Sequence, residues 1–546
     1  MSHYLRSSHA WRVFSVFSNR TRLRASALAV LLMGFVILPS VRSAGQLAPE
    51  QEEVSPPATA NDVFAEIGRR AQGFGGIFVD EEKDTLYVYV VGGSPDFAAV
   101  VDKAITDVLG PDRPPAHQLV VLQGQYTFLQ LKEWYDRMSM RALAIPGAVL
   151  TAIDHKTNRL EVGVQTMALE PSVAAVLAAL GIPREAVLIK EVAPIEAETL
   201  QEAAPQIEEA SADAPCPAPG CTLQSKIRPL VGGIQIQDNM PPPGFTGFCT
   251  LGFIAVRVPP NVALGFVTAS HCTNVQGGVE GTMEGQPTWA GNGDTVATEK
   301  LDSCYWTPAG TPFPFGCTPA PRKPTPPCPV APVPGYNCRY SDSAFFALKT
   351  NVTTPPTTMR GFIARPDSIN PSNPIGARCG PPGTARPLCN LDWTMPTYFQ
   401  VIREGNVMVV GETVTKVGRT TGWTQGKVSL VGMTVMYTGV SKLGTPTQMA
   451  ILSANQADPN NLANPGYWSL GGDSGSPVFQ CLDSSNNTIP CSNPPVTSNV
   501  RIVGVHFASG GSFSSIGDFK NSATTGVQEL PYELGPLIKC IDPTKC

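Results

Sequence analysis

The placing of cysteine constrains this chain more than any other feature. All 14 cysteines lie between Cys216 and Cys546, and the first 215 residues hold none. An even count confined to one region points to a disulfide-bonded module beside one that needs no bridges, in an oxidising compartment. Zinc is the other use for so many thiols. The only histidines in that region are His271 and His506, and neither stands in a CxxC…HxxxH arrangement. No metal or cofactor is therefore expected.

Charge divides the chain at the same place. Residues 45–215 carry 26 acids and 12 bases, and residues 216–546 carry 18 acids and 21 bases. Opposite signs favour contact between the halves, although salt limits such attraction mostly to steering. The overall net charge of −5 argues against a dedicated nucleic-acid binder. With 42% hydrophobic and 15% charged residues in 546, neither global disorder nor a multi-span membrane protein fits.

The N-terminus has the plan of a secretory signal. Arg6, Arg12, Arg20, Arg22 and Arg24 precede an apolar run from Ala25 to Leu38, then Pro39 and the stretch Val41-Arg42-Ser43-Ala44. The run is short for a ~30 Å hydrocarbon core, so cleavage after Ser43 or Ala44 is expected rather than a stable membrane anchor. This divides the chain into a signal peptide (1–44), an acidic α+β region (45–190), a linker (191–228) and a C-terminal module (229–546).

The acidic region contains an internal repeat. Gly76–Val79 leads through a polar turn into Leu86–Val90, and Ala148–Ala152 leads through Asp154–Arg159 into Leu160–Val164. Each hairpin precedes a helix, one opening at Ser94-Pro95 and one spanning Pro171–Leu180, and each helix gives way to a short apolar strand. The unit is ββαβ, twice, joined by an amphipathic helix through Phe128, Leu131, Trp134, Tyr135 and Met138. His117 and His155 read as surface histidines. From Glu191 to Pro229 the chain is rich in Ala, Glu and Pro, the composition of an exposed linker. Many short apolar runs between Gly, Pro and Asn turns follow, which predicts an all-β sandwich or barrel. Cys304–Cys338 reads as a Pro- and Cys-rich insertion, a stapled surface loop.

Three segments of the C-terminal module carry chemistry. Phe266–Cys272 is an apolar strand ending in Ser270-His271-Cys272. Tyr340–Leu348 places Asp342 at the mouth of another strand. Gly471-Gly472-Asp473-Ser474-Gly475 puts a serine in a glycine-lined turn. A serine hydroxyl is a poor nucleophile until a base takes its proton, and imidazole titrates in the right range. A buried carboxylate holds that imidazole in the correct tautomer. The N–H groups of Gly472 and Ser474 are the natural oxyanion donors. Asp342 is the preferred acid, with Asp294 and Asp302 as alternatives.

These segments resemble the chymotrypsin-fold serine proteases, whose triad runs His, Asp, Ser, and most of all their bacterial alpha-lytic protease and streptogrisin branch. Leu230–Ile234 is similar to the mature start in that branch. Gly418–Val428 and Val503–Ser512 look like two of its internal strands. The resemblance spans about residues 228–535 and implies a double β-barrel with His271 as general base, Asp342 as orienting acid and Ser474 as nucleophile. It implies a Cys249–Cys272 disulfide, an ion pair of Asp473 with Arg419, Trp468 at the base of the primary pocket, and Ser509, Gly510 and Gly511 as a strand that binds substrate backbone. Cys481 and Cys491 could close a short loop of their own. Without an acid at position 468, apolar rather than basic P1 residues are expected. The acidic region resembles the branch's pro-regions, which act as folding catalysts and inhibitors, so self-release between Glu191 and Pro229 and a monomeric, exported endopeptidase follow. An esterase or amidase on the same triad, or a non-catalytic binding protein on the fold, are the alternatives.

Overall fold

The computed structural model describes residues 59–92, 97–197, 221–240, 247–257, 262–289, 295–302, 304–307, 312–313, 337–350, 358–367, 391, 398–405, 407–440, 446–458, 468–492, 497–510, 521–526, 534 and 537–539. The expected signal segment lies outside them.

The N-terminal half opens with a helix the sequence reading did not anticipate, α1 (Ala60–Arg70), capped reciprocally by Thr59 and Asp62. Then come β1 (Phe74–Asp80), β2 (Thr85–Val90), α2 (Phe97–Leu109) and β3 (Gln118–Gln123). After α3 (Phe128–Leu143) the same order returns as β4 (Ala148–Asp154), β5 (Arg159–Val164), α4 (Glu170–Ala179) and β6 (Val187–Glu191). In both units the hairpin is antiparallel and the strand after the helix adds in parallel. That is the consequence of a helical crossover. The apolar face of α3 buries Phe128, Leu131, Trp134, Tyr135 and Met138 as its spacing requires.

His155 departs from the surface role expected of it. It is 1% exposed, edge-on to Phe64, and its Nδ1 accepts the Ile77 N–H at 3.3 Å. The turn after β4 folds back beneath β1, which closes over the ring.

The segment expected as linker is partly built into the fold. It contributes β7 (Ile195–Ala197), and at its far end Leu223 and Ile227 are fully buried in the core of the C-terminal half. The C-terminal module therefore begins structurally by Cys221, nine residues before Leu230.

The C-terminal half continues with β8 (Leu230–Gly232), β9 (Gln235–Asp238), β10 (Phe248–Thr250), β11 (Phe253–Arg257), β12 (Ala263–Thr268), β13 (Met283–Gly285) and β14 (Thr295–Asp302). Next are β15 (Tyr305–Trp306), β16 (Pro312–Phe313), β17 (Asn337–Arg339), β18 (Ala344–Leu348), β19 (Thr358–Ala364), β20 (Tyr398–Glu404) and β21 (Thr413–Gly418). The long pair β22 (Gly422–Val440) and β23 (Pro446–Asp458) is followed by β24 (Pro477–Leu482), β25 (Thr488–Ile489), β26 (Asn499–Gly510), β27 (Asn521–Gly526) and β28 (Leu537–Lys539).

Two closed rings of antiparallel strands emerge from the pairings. In the first, β9, β13, β14, β18, β12 and β11 pair in that order, and the bent run through β10 and β11 returns to β9. In the second, β21, β22, β23, β27, β26 and β24 pair in turn, and β24 closes on β21. Closure leaves no exposed edge within a ring and converts alternating apolar residues into an interior.

The halves share strands and a buried polar seam. β4 pairs with β22, and β1 meets Val410 through a bridge at Phe78. Arg501 on β26 donates to Asp112 at 2.6 Å and to Glu412 at 3.2 Å, all three buried. Glu81 accepts from the N–H and hydroxyl of Thr413, and Tyr135 Oη donates to Gly432 O at 3.1 Å. The insertion reaches this seam too. Its Trp306 and Cys338 are buried with Leu143, Ala148 and Met436, so its base is core rather than surface loop.

Burial lowers the His155 pKa to about 4. A group held neutral in this way contributes stability above its unfolded value and loses it as pH falls toward the folded one. The difference from a free histidine corresponds to about 3 kcal/mol. Urea unfolding of wild type and His155→Gln at pH 7 and pH 4 should show a larger acid loss for wild type by an amount of that order. Equal losses would refute a buried neutral imidazole.

Candidate active site

His271, Asp342 and Ser474 come from separate strand ends. His271 sits in the short 3₁₀ turn that follows β12. Asp342 lies just before β18, which pairs with β12, so the two segments are fixed side by side. Ser474 tops the turn before β24 in the second ring.

The structure brings the three together. His271 Nδ1 lies 2.8 Å from Asp342 Oδ2, and the His271 N–H donates to Asp342 Oδ1 at 3.1 Å. His271 Nε2 lies 2.6 Å from Ser474 Oγ. Asp342 and Ser474 are fully buried, and the His271 side chain is 2% exposed. A carboxylate so placed is isolated from water and costs free energy unless its oxygens are bonded, as both of these are. Of the alternative acids, Asp302 faces Ser270 and Arg339 instead, and Asp294 lies outside the described residues.

The serine turn is clamped to the first ring. The Thr250 N–H donates to Ser474 O at 2.8 Å, and its hydroxyl donates to Gly472 O at 2.9 Å. Gly475 adopts φ +87°, and a Cβ there would stand 2.1 Å from Thr268 Oγ1, so only glycine fits. Gly472 likewise has φ +92°. The Cys249–Cys272 disulfide joins the strand before this clamp to the histidine turn. A second bridge joins Cys481 to Cys491.

The expected Asp473–Arg419 ion pair is replaced. The Asp473 carboxylate takes Lys416 Nζ at 2.9 Å, Thr421 Oγ1 at 2.6 Å and the N–H groups of Leu470, Thr420 and Thr421. Lys416 points along β21 toward the turn. Arg419, beyond the strand end, reaches the opposite way to Gln235 at 2.8 Å, and its guanidinium lies over the Phe248 ring. The resemblance pointed to the anion but not to which neighbouring cation reaches it, since Lys416 and Arg419 stand only three positions apart.

Trp468 is 1% exposed, and its Nε1 donates to Nδ1 of the buried His506 at 3.2 Å. The sequence reading gave His506 no site role, although it is the only other histidine of this half. Ser509 and Gly510 end β26, and Gly511 lies outside the described residues.

β7 occupies this strand end. It runs antiparallel to β26 with Ile195 opposite Gly510, Glu196 opposite Ser509 and Ala197 opposite Ala508. Its other edge pairs with Tyr437 and Thr438 of β22. His506 is bonded on both sides to the serine turn, through the Gly475 N–H and Ser476 O. β7 therefore runs N to C toward Ser474.

The fold and site together define a class: two closed antiparallel rings with a histidine, a carboxylate and a serine in hydrogen-bonded sequence between them. Solved structures similar to the chain include one described as a glutamic acid-specific serine protease using a histidine triad in substrate binding (18% identity, TM-score 0.29). Others are a Nocardiopsis protease, NAPase (16%, 0.27), and Thermobifida fusca protease A (15%, 0.28). Each match covers 57% of this chain, and 100%, 93% and 98% of those chains respectively. Likeness at this level carries no functional weight. No protein-family model and no curated protein matches the chain.

The replaced ion pair yields a stability prediction. Removing one partner of a buried pair leaves an uncompensated charge and costs about 3–5 kcal/mol. Lys416→Met should lose that much in urea unfolding, and Arg419→Met clearly less. The reverse order would restore Arg419 as the partner of Asp473.

Proposed function

We propose that the chain is an exported serine endopeptidase made as a pro-enzyme, cleaving peptide bonds through an acyl-enzyme. The carrying observation is the hydrogen-bonded run from Asp342 through His271 to Ser474. His271 Nε2, at 2.6 Å, is placed to take the Ser474 proton as Oγ attacks a carbonyl. Asp342 holds Nδ1 and stabilises the imidazolium that forms. The N–H groups of Gly472 and Ser474 are the proposed oxyanion donors. The left-handed backbone at Gly472 and the Thr250 clamp on its carbonyl support a preset turn. Collapse of the tetrahedral species passes the proton from His271 to the leaving amine. Water then repeats the sequence on the ester. Apolar rather than basic P1 residues remain our reading of a pocket with Trp468 behind it.

The N-terminal half acts, in this reading, as pro-domain and inhibitor. β7 lies along β26 as a substrate strand would, with the chain direction of the acyl side of a substrate. Main-chain hydrogen bonds of this kind give affinity with little dependence on side chains. Disulfide-bonded cysteines in the described C-terminal half are compatible with export.

Maturation follows from where this strand stops. Ala197 ends β7, whereas Cys221, Leu223 and Ile227 belong to the core. This supports our reading that self-cleavage falls within the expected Glu191–Pro229 stretch, between residues 198 and 221, which would leave 221–229 on the mature enzyme. In the test, wild type and Ser474→Ala are exported in parallel, and chain masses and new N-termini are read. Wild type should be cut in that window and labelled by a fluorophosphonate. Ser474→Ala should remain whole, with activity lower by on the order of 10⁶-fold. Equal processing of both chains would refute self-cleavage, and an unlabelled wild type would remove the catalytic reading.

A further inference from the structure

Behind the histidine lies a buried ion pair that the proposed chemistry does not use. Ser270 Oγ donates to both oxygens of Asp302, at 2.8 and 2.7 Å. The Gly277 N–H donates to the same carboxylate at 3.0 Å, and Thr273 Oγ1 lies 3.4 Å from it. Arg339 Nη1 donates to Asp302 Oδ1 and to Ser270 Oγ, each at 3.0 Å. Its Nη2 donates to Ser343 O at 2.9 Å. Asp302, Arg339, Ser270 and Ser343 are all buried.

Two of those contacts flank the site directly. Ser270 precedes His271 in the chain, and Ser343 follows Asp342. One planar guanidinium thus spans the two segments whose side chains meet at Nδ1. Asp302 fixes the turn from Ser270 to Gly277 on the far side. Arg339 and Asp302 also flank the Cys304–Cys338 insertion, as the last residue of β17 and the last of β14. That insertion is why His271 and Asp342 stand 71 positions apart.

Stability alone is a poor reason for such a pair. A buried ion pair often contributes no more than apolar residues of the same volume. What apolar residues cannot reproduce is a rigid fork with donors aimed at two chain segments. We propose that Arg339, seated by Asp302, is a positioning residue that sets the His271–Asp342 hydrogen bond by tying Ser270 to Ser343. The insertion is accommodated because the residues that flank it are locked by this contact. The proposal rests on the catalytic reading for its effect on rate, but not for its effect on geometry.

Arg339→Lys separates the roles. An ammonium keeps the charge opposite Asp302 yet cannot bridge to Ser343 O at the same time. In the processed enzyme, inactivation by a fluorophosphonate should show a maximal rate about 10–100-fold lower, because misplacement of about 1 Å costs that much. The half-saturating concentration should stay within about twofold. Urea unfolding should be near wild type. Asp302→Asn, which keeps an acceptor for Ser270, should move the rate in the same direction. The downfield proton resonance of the His271–Asp342 hydrogen bond, read in full-length Ser474→Ala with and without Arg339→Lys, should shift upfield or broaden with the change. An unchanged resonance and an unchanged maximal rate would overturn the proposal. If the wild type is inert to the reagent, catalysis falls, and the resonance still decides whether Arg339 positions the pair.

Discussion

The contact on which the rest depends is the one between His271 and Ser474, because it joins two rings whose strands pair separately, although one continuous core runs beneath both. His271 hangs from the first ring and Ser474 from the second, so neither can be tuned alone. Holding Nε2 at 2.6 Å from Oγ requires the rings to be registered to a fraction of an ångström. Thr250 supplies much of that registration, since its N–H and hydroxyl both bond to the serine turn from across the gap. Gly475 lets the two backbones approach closely enough for this to happen. Each device is backbone-directed, which suits a task of placement.

The same economy of polar contact marks the seam with the N-terminal half. Arg501, Asp112 and Glu412 are removed from water together, and burial lifts the Glu412 pKa to about 7, against the pull of Arg501. Such a cluster ties the halves specifically, because Glu412 and Arg501 of the C-terminal half find their partner Asp112 only in the N-terminal half. Strand pairing through β4 and β7 adds direction to this recognition. The acid–base asymmetry of the two halves therefore ends in specific pairs at the seam, beyond general steering.

Much of this was legible in the sequence where a pattern was local. The repeated strand, strand, helix, strand order follows from two hairpins with polar turns and from helix starts and stops. The settings of His271, Asp342 and Ser474 declare themselves because each joins an apolar run to a small, polar turn. What escaped was whatever depended on a distant partner. His155 looks like a polar turn residue until β1 folds over it. Lys416 and Arg419 are equal candidates by composition, and strand direction alone decides between them. Thr59–Asp62 opens a helix whose apolar face is short, so the capping signal was overlooked. The segment after Glu191 reads as linker from its Ala, Glu and Pro content. Yet three residues suffice for β7 when two waiting edges supply the hydrogen bonds.

The insertion shows how an irregular feature can be absorbed by a demanding site. Adding residues between His271 and Asp342 lengthens the loop that must close, although the entropic cost grows only slowly with length. The greater hazard is geometric, since a loop free to shift at its base would move Asp342 with it. Here the base is not free. Tyr305 lies beneath the Arg339 guanidinium, β17 pairs in parallel with β23, and Trp306 and Cys338 are buried against the N-terminal half. The insertion is thus anchored by the second ring on one side and by the N-terminal half on another, with Arg339 at the junction. Leu143 and Ala148 of the N-terminal half pack on Trp306 and Cys338, whereas the Arg339–Asp302 pair is made wholly within the C-terminal half. In the proposed positioning role, that pair ties the histidine turn to the aspartate strand by contacts that do not involve the N-terminal half.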